Sequence, residues 1–320
     1  MFLGVFVLAA ALVLPALFYV ANYKARVLEV VRGALARPVW IGGARLDFGE
    51  GVGFAFDDVV IQDSEAGRDL LRADRIVVDV SPTRLLRGEI DVTNVALVRP
   101  RVFLRRDADG KLSVEGLFSD AFLADLPKSE ARTLAERARE FARGPLAQAE
   151  FRVEDGGLEF ADSMGALTGV LEGVNLALSR QLLLRRVEFD FSAAARAEGA
   201  SLGTIAVSAI APFAERETEF PPVEASLEVS SVPLAALVAR AGLEGVEVGG
   251  AASLGLRVTT SDASSFAFQA ALRLEAPSFV APAIYQAPLA PSSLSLDAGG
   301  NYAEGTLDIG SFALAADDAR

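Results

Sequence analysis

Histidine and cysteine are both missing from the 320-residue chain. Without cysteine there is no disulfide, no thiolate nucleophile and no sulfur ligand for a metal. Without histidine the chain lacks the commonest general base and the commonest neutral metal ligand. Carboxylates, Lys, Tyr, Ser and Thr are what remains for bond chemistry, so the expectation is no catalytic residue, no metal site and no cofactor. Basic residues are in deficit as well, 30 Lys and Arg against 43 Asp and Glu. A nucleic-acid surface needs clustered cations that displace phosphate counterions, and this balance argues against one. Charged residues make up 23% of the chain, an ordinary globular share that argues against wholesale disorder. With 52% hydrophobic residues, the chain has enough apolar material for one large core or for an extended, repeated one.

Charge is absent altogether from residues 1–21. As a helix rising roughly 1.5 Å per residue, this stretch reaches about 31 Å, the thickness of a bilayer's hydrocarbon core. It is expected to be a transmembrane anchor, with everything after Asn22 held at a membrane surface. Pro15 removes one helical hydrogen bond, a loss that neighbouring groups compensate within membranes. The rival reading is a cleaved signal peptide. Against it, no basic residue precedes the apolar run, and Tyr19-Val20-Ala21 places a bulky Tyr where cleavage wants a small residue. Lys24 and Arg26 follow the run, so charge alone would leave the bulk of the chain in the cytoplasm. Residues 22–38 form an expected juxtamembrane helix, with Val27, Val30, Val31, Ala34 and Leu35 at helical spacing and Pro38 at its end.

Beyond Pro38 the apolar period drops from helical to two. Leu46 and Phe48, then Val52, Phe54 and Phe56, then Val59 and Ile61 form alternating sets separated by Gly or polar residues, the pattern of short antiparallel strands. Ile76, Val78 and Val80 continue it, as do Ile90 to Val98 and Val102 to Leu104. Residues 39–118 are thus a first β unit. Residues 119–144 interrupt it with a charged helical insertion, Ser129 to Arg143, closed by Gly144-Pro145. Residues 145–320 return to strands, broken by one helix at 232–241 that Ser231 and Pro233 introduce and Gly242 ends. The fold class is mainly β with a few short helices. Sandwich, barrel and solenoid-like groove all fit the array. An extended array with a strand directly before Arg320 would take its cap from further chain or from a partner.

Three motifs invite a chemical reading and favour a plainer one. Asp107-Ala108-Asp109-Gly110 opens like a calcium loop, but Phe118 occupies the twelfth position where a bidentate acid belongs, so a hairpin turn into Lys111 to Val114 is expected. Gly49, Gly51 and Gly53 have neither the Lys-Ser or Lys-Thr pair nor the helix of a phosphate cradle, and read as strand or turn glycines. Glu154, Asp155 and Asp162 offer carboxylates for a glycan hydrolase, yet fit a solvated turn better.

One block carries a family likeness. Leu71-Arg72-Ala73-Asp74-Arg75-Ile76-Val77-Val78-Asp79-Val80, then Leu85-Leu86-Arg87-Gly88-Glu89-Ile90, then Val95-Ala96-Leu97-Val98-Arg99-Pro100-Arg101-Val102, closed by Asp109-Gly110-Lys111-Leu112, resembles the N-terminal part of the AsmA family. The likeness covers about the first 118 residues, including Ala36-Arg37-Pro38-Val39-Trp40-Ile41-Gly42-Gly43 after the anchor. More loosely, Val153-Glu154-Asp155-Gly156-Gly157-Leu158 and Val232-Pro233-Leu234 followed by Gly249-Gly250 are similar to the family's later repeats. The resemblance implies a Gram-negative inner-membrane protein, single-pass, with the bulk of the chain in the periplasm. There a long, twisted antiparallel β-sheet would fold into a hydrophobic groove that takes part in phospholipid transport or outer-membrane homeostasis. It thus reverses the orientation that flanking charge suggests, and the chain is short for the family.

A lipid conduit needs one continuous apolar sheet face and one polar face. Ile76, Val78, Val80, Val102 and Leu104 supply such a face, and Leu46, Phe48, Phe54 and Phe56 extend it; these are the candidate lipid-binding residues. Periodicity alone fits the closed core of a sandwich equally well. The partners implied are membrane phospholipids and the inner membrane, with no nucleic acid. The alternative is a structural assembly factor that meets outer-membrane biogenesis proteins through its strand edges and has no lipid conduit. The anchor is directly testable: intact mass of the mature chain should include residues 1–21, and deleting them should release the protein from alkali-washed membranes, whereas a cleaved signal would leave a soluble chain starting near Asn22.

Overall fold

A computed structural model describes residues 37–48, 52–63, 67–85, 91–107, 109–114, 117, 149–162, 167–181, 185–197, 199–212, 222–240, 247–260, 265–280, 291–303 and 305–317. The expected anchor at 1–21, most of the juxtamembrane helix and the insertion at 119–144 lie outside the described residues. Among the described residues no helix is long and apolar enough to cross a membrane.

The described chain is mainly β. Its strands are β1 (Val39–Asp47), β2 (Val52–Gln62), β3 (Asp69–Val80), β4 (Val92–Val98), β5 (Arg101–Arg105), β6 (Glu150–Ala161), β7 (Leu167–Gln181), β8 (Arg186–Ala197), β9 (Ala200–Pro212), β10 (Val223–Pro233), β11 (Glu247–Thr260), β12 (Ser265–Val280), β13 (Ser293–Ala303) and β14 (Thr306–Asp317). Two short helices, α1 (Pro82–Leu85) and α2 (Leu234–Arg240), sit between them. All fourteen strands belong to one sheet, in the order β1-β2-β3-β4-β6 and then sequentially to β14. β5 continues β4 between β3 and β6, so the fourteen strands occupy thirteen places. Among the described residues β1 and β14 do not pair, so the ladder is open and is neither a closed barrel nor two facing sheets.

From β7 onward each strand pairs antiparallel with its predecessor, the topology that short hairpins permit. Two of these hairpins are tight. Ala197 pairs with Ala200 and Ala303 with Thr306, and in each loop the second residue, Gly199 or Gly305, has a positive φ (79° and 82°). The sequence around both is Ala-Glu-Gly.

The structure departs from the sequence reading in four places. The sheet is not antiparallel throughout: β4 and β5 both run parallel to β6, with Asn94 opposite Glu150 and Arg101 opposite Gly157. A parallel joint needs a crossover of a dozen residues or more, and the long segment after β5 supplies it. The short sets expected at 52–61 are one strand, as are those at 151–160 and 305–315. Between Arg106 and Leu112 the expected second hairpin strand is a single bridge. Finally, the helix expected at 232–241 begins at Leu234 and has seven residues. A bulge at left-handed Ser231 keeps β10 in the ladder, and Pro233 still faces Ala251.

A second feature organises the N-terminal half. Asp58, Arg99, Asp155 and Gly173 all have left-handed φ, between 47° and 57°. Regular pairing skips a step at the same level in successive strands: between Asp57 and Val59 of β2, between Val98 and Arg101 across β4 and β5, and between Val153 and Gly156 of β6. These residues therefore form a crease across the sheet. It reverses the side-chain alternation. Val59 lies three residues after Phe56, an odd spacing, yet packs in the same cluster as Phe54, Phe56, Val39, Ile41 and Val80. Asp57 and Asp58 take the reversal, so both apolar segments of β2 remain on one side. Gly42 lies beside the crease, where a Cβ would come within 3.0 Å of both Asp58 and the Trp40 ring.

Burial is deepest at this end of the sheet, where Phe54, Phe56, Val59 and Val80 are 2–6% exposed. It declines toward β14, all of whose residues are exposed. Truncating Phe56 to Ala should therefore cost about 3–5 kcal/mol, the range for a buried aromatic. Leu314→Ala, at a side chain 62% exposed, should cost under about 1 kcal/mol; urea unfolding followed by circular dichroism measures both.

Candidate functional site: an apolar face running the length of the sheet

Directly paired residues on neighbouring strands point to the same side of a sheet. Following the pairs across the ladder gives a row that starts at Ala44 and Phe56 and continues through Ile76, Leu97, Val153, Leu176, Phe191, Val207, Leu227, Leu256, Ala270 and Ala298 to Phe312. Every one of the thirteen places carries an apolar side chain. Beside it runs a second row: Leu46, Phe54, Val78, Val95, Phe151, Leu178, Phe189, Ala209, Ala225, Val258 and Phe268, then Gly300 and Ile309. A third row of Ala193, Ile205, Val229, Leu254, Leu272, Leu296 and Leu314 flanks the first over the C-terminal strands. At roughly 4.8 Å between strands, the twelve steps of the full rows cover roughly 58 Å.

Residues between these rows face the other way; over β6 to β14 they are polar or small, while over β2 to β4 the same side carries Ala55, Val77 and Ala96. Arg152, Ala177, Asp190, Ser208, Ser226, Arg257, Gln269, Gly299 and Ser311 form one such row. The two sides differ in exposure as well as chemistry. Asp190, Glu228, Arg257, Gln269 and Asp297 are exposed, whereas Leu178, Phe189, Leu227, Leu256, Phe268 and Leu296 are half-buried. Ile210, between Glu188 and Glu224, is an apolar exception on the polar side. A shallow hollow of about 740 Å³ lies there over Gly255, Ala271 and Gly299, with Arg257, Arg273 and Asp297 at its walls.

The residues singled out from sequence fall on this face almost without exception. Leu46, Phe54, Phe56, Ile76, Val78 and Val80 lie in or against the cluster at its deep end. Val102 faces Leu71, which faces Ile61, itself packed on that cluster, so the side reversal at the crease keeps β5 in step; Leu104 follows two residues on, opposite Phe160. Phe48 stands apart. It follows the last residue of β1, is 68% exposed and packs on nothing in the cluster. Sequence reasoning missed the continuation, notably Phe151, Leu176, Phe191, Val207, Leu227 and Leu256. The signal was present as plain alternation within β6 to β12. What concealed it was the changed phase at Asp155 and Gly173, which makes the apolar set look discontinuous when read along one strand.

Charges gather on the polar side, and along the crease they pair across strands. Asp57 bridges Arg45 and Arg75, Asp74 meets Arg99 at 2.6 Å, and Glu172 meets Arg196 at 3.4 Å. The hydrogen bond from Arg99 to Asp74, then the carboxylate's charge, raises the Arg99 pKa, so the guanidinium stays charged throughout the physiological range. One polar pair is buried: Asn94 Nδ2 donates to Asp79 Oδ2 at 2.9 Å, with the side chains' residues 9% and 5% exposed. Gly53 makes room for it, since a Cβ there would collide with Asp79. A half-buried ionic knot holds Arg37 on Asp63 at 2.7 Å with Arg105 alongside.

The remaining candidate motifs acquire ordinary roles. The Asp107 carboxylate accepts from the Lys111 backbone N–H at 2.8 Å, and the Gly110 N–H donates to the Asp107 carbonyl, closing a turn. Glu154 and Asp155 are exposed beside the crease. No group of three or more acidic side chains is placed to hold a metal ion among the described residues. Gly49 and Gly51 lie outside the described residues.

Among the described residues, fold and face together define one open amphipathic sheet, with continuous apolar rows on one side and the charged side chains of β6 to β14 mainly on the other. The chain matches no family model and no curated protein. The buried and exposed polar contacts should separate cleanly by mutation. Asn94→Ala removes the partner of a buried carboxylate and should cost roughly 1–3 kcal/mol. Asp57→Asn should cost at most about 1 kcal/mol, a loss that vanishes at high salt; thermal unfolding at low and high salt distinguishes them.

Proposed function

We propose that this chain is an AsmA-like protein, anchored in a Gram-negative inner membrane, whose periplasmic sheet binds acyl chains on its apolar face and takes part in phospholipid transport. The observation that supports the reading is the unbroken apolar row from Ala44 to Phe312. A sealed core would bury such a row throughout; here most of it is half-buried, and Phe312 is 66% exposed. A fully water-exposed surface would carry charge, and this one carries none.

Physical chemistry says what such a face offers. Moving an acyl chain from bilayer to water costs about 0.8 kcal/mol per methylene. A continuous apolar lane removes most of that cost by replacing lipid neighbours with Val, Leu and Phe side chains while the headgroup stays in water. Because tails are in apolar surroundings at both ends of the step, the lane speeds exchange and supplies no direction. At roughly 58 Å, its length is about twice the roughly 30 Å hydrocarbon core that two opposed lipids fill. The absence of His and Cys is no handicap, because no bond is made or broken. Orientation is taken from the family resemblance, which rests on the quoted residues alone, and the anchor keeps the face beside the membrane that supplies lipid.

A photo-crosslinking amino acid at Leu227 or Leu256, on the apolar side, should capture phospholipid from vesicles carrying labelled lipid, while one at Ser226 or Arg257 should not. Leu227→Glu with Leu256→Glu should reduce capture and vesicle-to-vesicle transfer about tenfold or more, the cost of placing acids in an apolar lane, with circular dichroism unchanged. Equal crosslinking from both sides ends the proposal. Unfolding by the double substitution points to the assembly-factor alternative, in which the face is structural.

A further inference from the structure

A chain of net charge −13 reverses its sign locally: residues 68–111 hold ten Lys and Arg against seven Asp and Glu. Two of these cations, Arg72 of β3 and Arg101 of β5, stand directly opposite each other on the side of the sheet away from the lane. Like charges so placed repel and destabilise a sheet. Among the described residues neither forms an ion pair, and both are exposed. The carboxylates around them are engaged elsewhere: Asp74 holds Arg99 at 2.6 Å, Asp63 holds Arg37 at 2.7 Å and Glu172 holds Arg196 at 3.4 Å. Glu159, two residues past Gly157 on the same side, pairs with neither arginine. The Arg101 side chain lies over Gly157, where a Cβ would collide with its guanidinium. The same row runs back through Val60 of β2 to Trp40 of β1. The chain's one Trp therefore points to the same side as the two arginines, three strand steps or roughly 14 Å from Arg101, and it is 57% exposed.

We propose that Trp40, Arg72 and Arg101 form a docking surface for the phosphate headgroups of an anionic phospholipid bilayer. Two guanidiniums without a counterion suit phosphate, which each can grip with a fork of N–H donors. A Trp ring, with an apolar body and one N–H donor, is best placed at the headgroup level of a bilayer, where its surroundings are apolar on one side and wet on the other. A bilayer surface meets all three side chains at once, whereas a free phosphate would answer the arginines and leave Trp40 in water. The rest of the chain is acidic and is repelled by the same surface, so charge selects this end of the sheet. Arg37, three residues before Trp40, is fastened to the Asp63 carboxylate and the Ser113 carbonyl, so the chain leaves toward the expected anchor from a fixed point near the row. Docking holds the strands where the lane begins against the bilayer. The inference rests on the membrane anchoring proposed above and not on acyl-chain binding by the lane, which lies on the opposite side of the sheet.

Trp40 reports its own surroundings, because the chain has no other Trp. The test places the full chain in nanodiscs of phosphatidylcholine, alone or mixed with phosphatidylglycerol, each with a trace of lipid spin-labelled at the headgroup. Phosphatidylglycerol should shift Trp40 emission to the blue and increase its quenching, and raised salt should reverse both. Arg72→Gln with Arg101→Gln should weaken docking about tenfold or more, while Arg72→Lys with Arg101→Lys should retain it. The Gln pair removes a like-charge repulsion, so thermal stability should not fall. Three results overturn the proposal: Trp40 emission indifferent to phosphatidylglycerol, equal quenching in the Gln pair, or loss of the response to inorganic phosphate at unchanged ionic strength, which assigns the arginines to a free phosphate. A chain that does not stay in phosphatidylcholine discs removes the anchor reading alone; the same Trp40 readout on added phosphatidylglycerol vesicles then decides the docking.

Discussion

Everything in this sheet depends on the phase of side-chain alternation. In a strand the period is two, and slipping the pairing by one residue sends every side chain to the opposite face. A sheet of thirteen places keeps one apolar side only if each register agrees with the next. The cross-strand pairs show that agreement from Ala44 to Phe312. The crease is the severest demand on it, because each left-handed residue there reverses the alternation of its own strand. The apolar side survives because left-handed Asp58, Arg99 and Asp155 lie at the same level of the ladder, with Asp74 of β3 held to Arg99 between them. A single strand lacking the reversal would put Val59 or Val102 among the acids.

This arrangement distributes stability unevenly. Each strand contacts little beyond its ladder neighbours, as in a repeat array, where stability is close to a sum of nearest-neighbour terms. The β1 to β3 end has a tight cluster, a buried Asn94–Asp79 pair and a half-buried ionic knot. The far end has apolar area but no depth. Ion pairs on the polar side contribute little individually and mainly keep that side solvated. Cross-strand apolar contacts therefore carry the sheet, and the same contacts make the lane.

Chemistry follows from the division of faces. Most carboxylates and guanidiniums of the strands lie on the solvated side or along the crease; Arg180, opposite Val187 at the margin of the apolar side, is an exception, and none sits within the first or second apolar row. The first and second rows are thus an uncharged surface that runs from one edge of the described sheet to the other.

Much of this was legible in the chain. Alternating Phe54 and Phe56, Ile76, Val78 and Val80 announce amphipathic strands, because residue type at every second position is a local property that any extended chain expresses. The mainly β class and the first part of the apolar side follow from that. Three things were not legible. Adjacent short sets fused into long strands, since Gly and paired acids that resemble turns instead mark the crease. β4 and β5 met β6 in parallel, a pairing between residues more than fifty positions apart with no local sign. And α2 lost its first turn to β10, where ladder pairing outcompeted helix propensity at Val232 and Pro233. The sequence by itself determined that each strand would be apolar on one side and polar on the other. Only the tertiary structure decided that all those sides coincide in one open sheet, because strand order and register are set by non-local pairing, to which the period within a strand is blind.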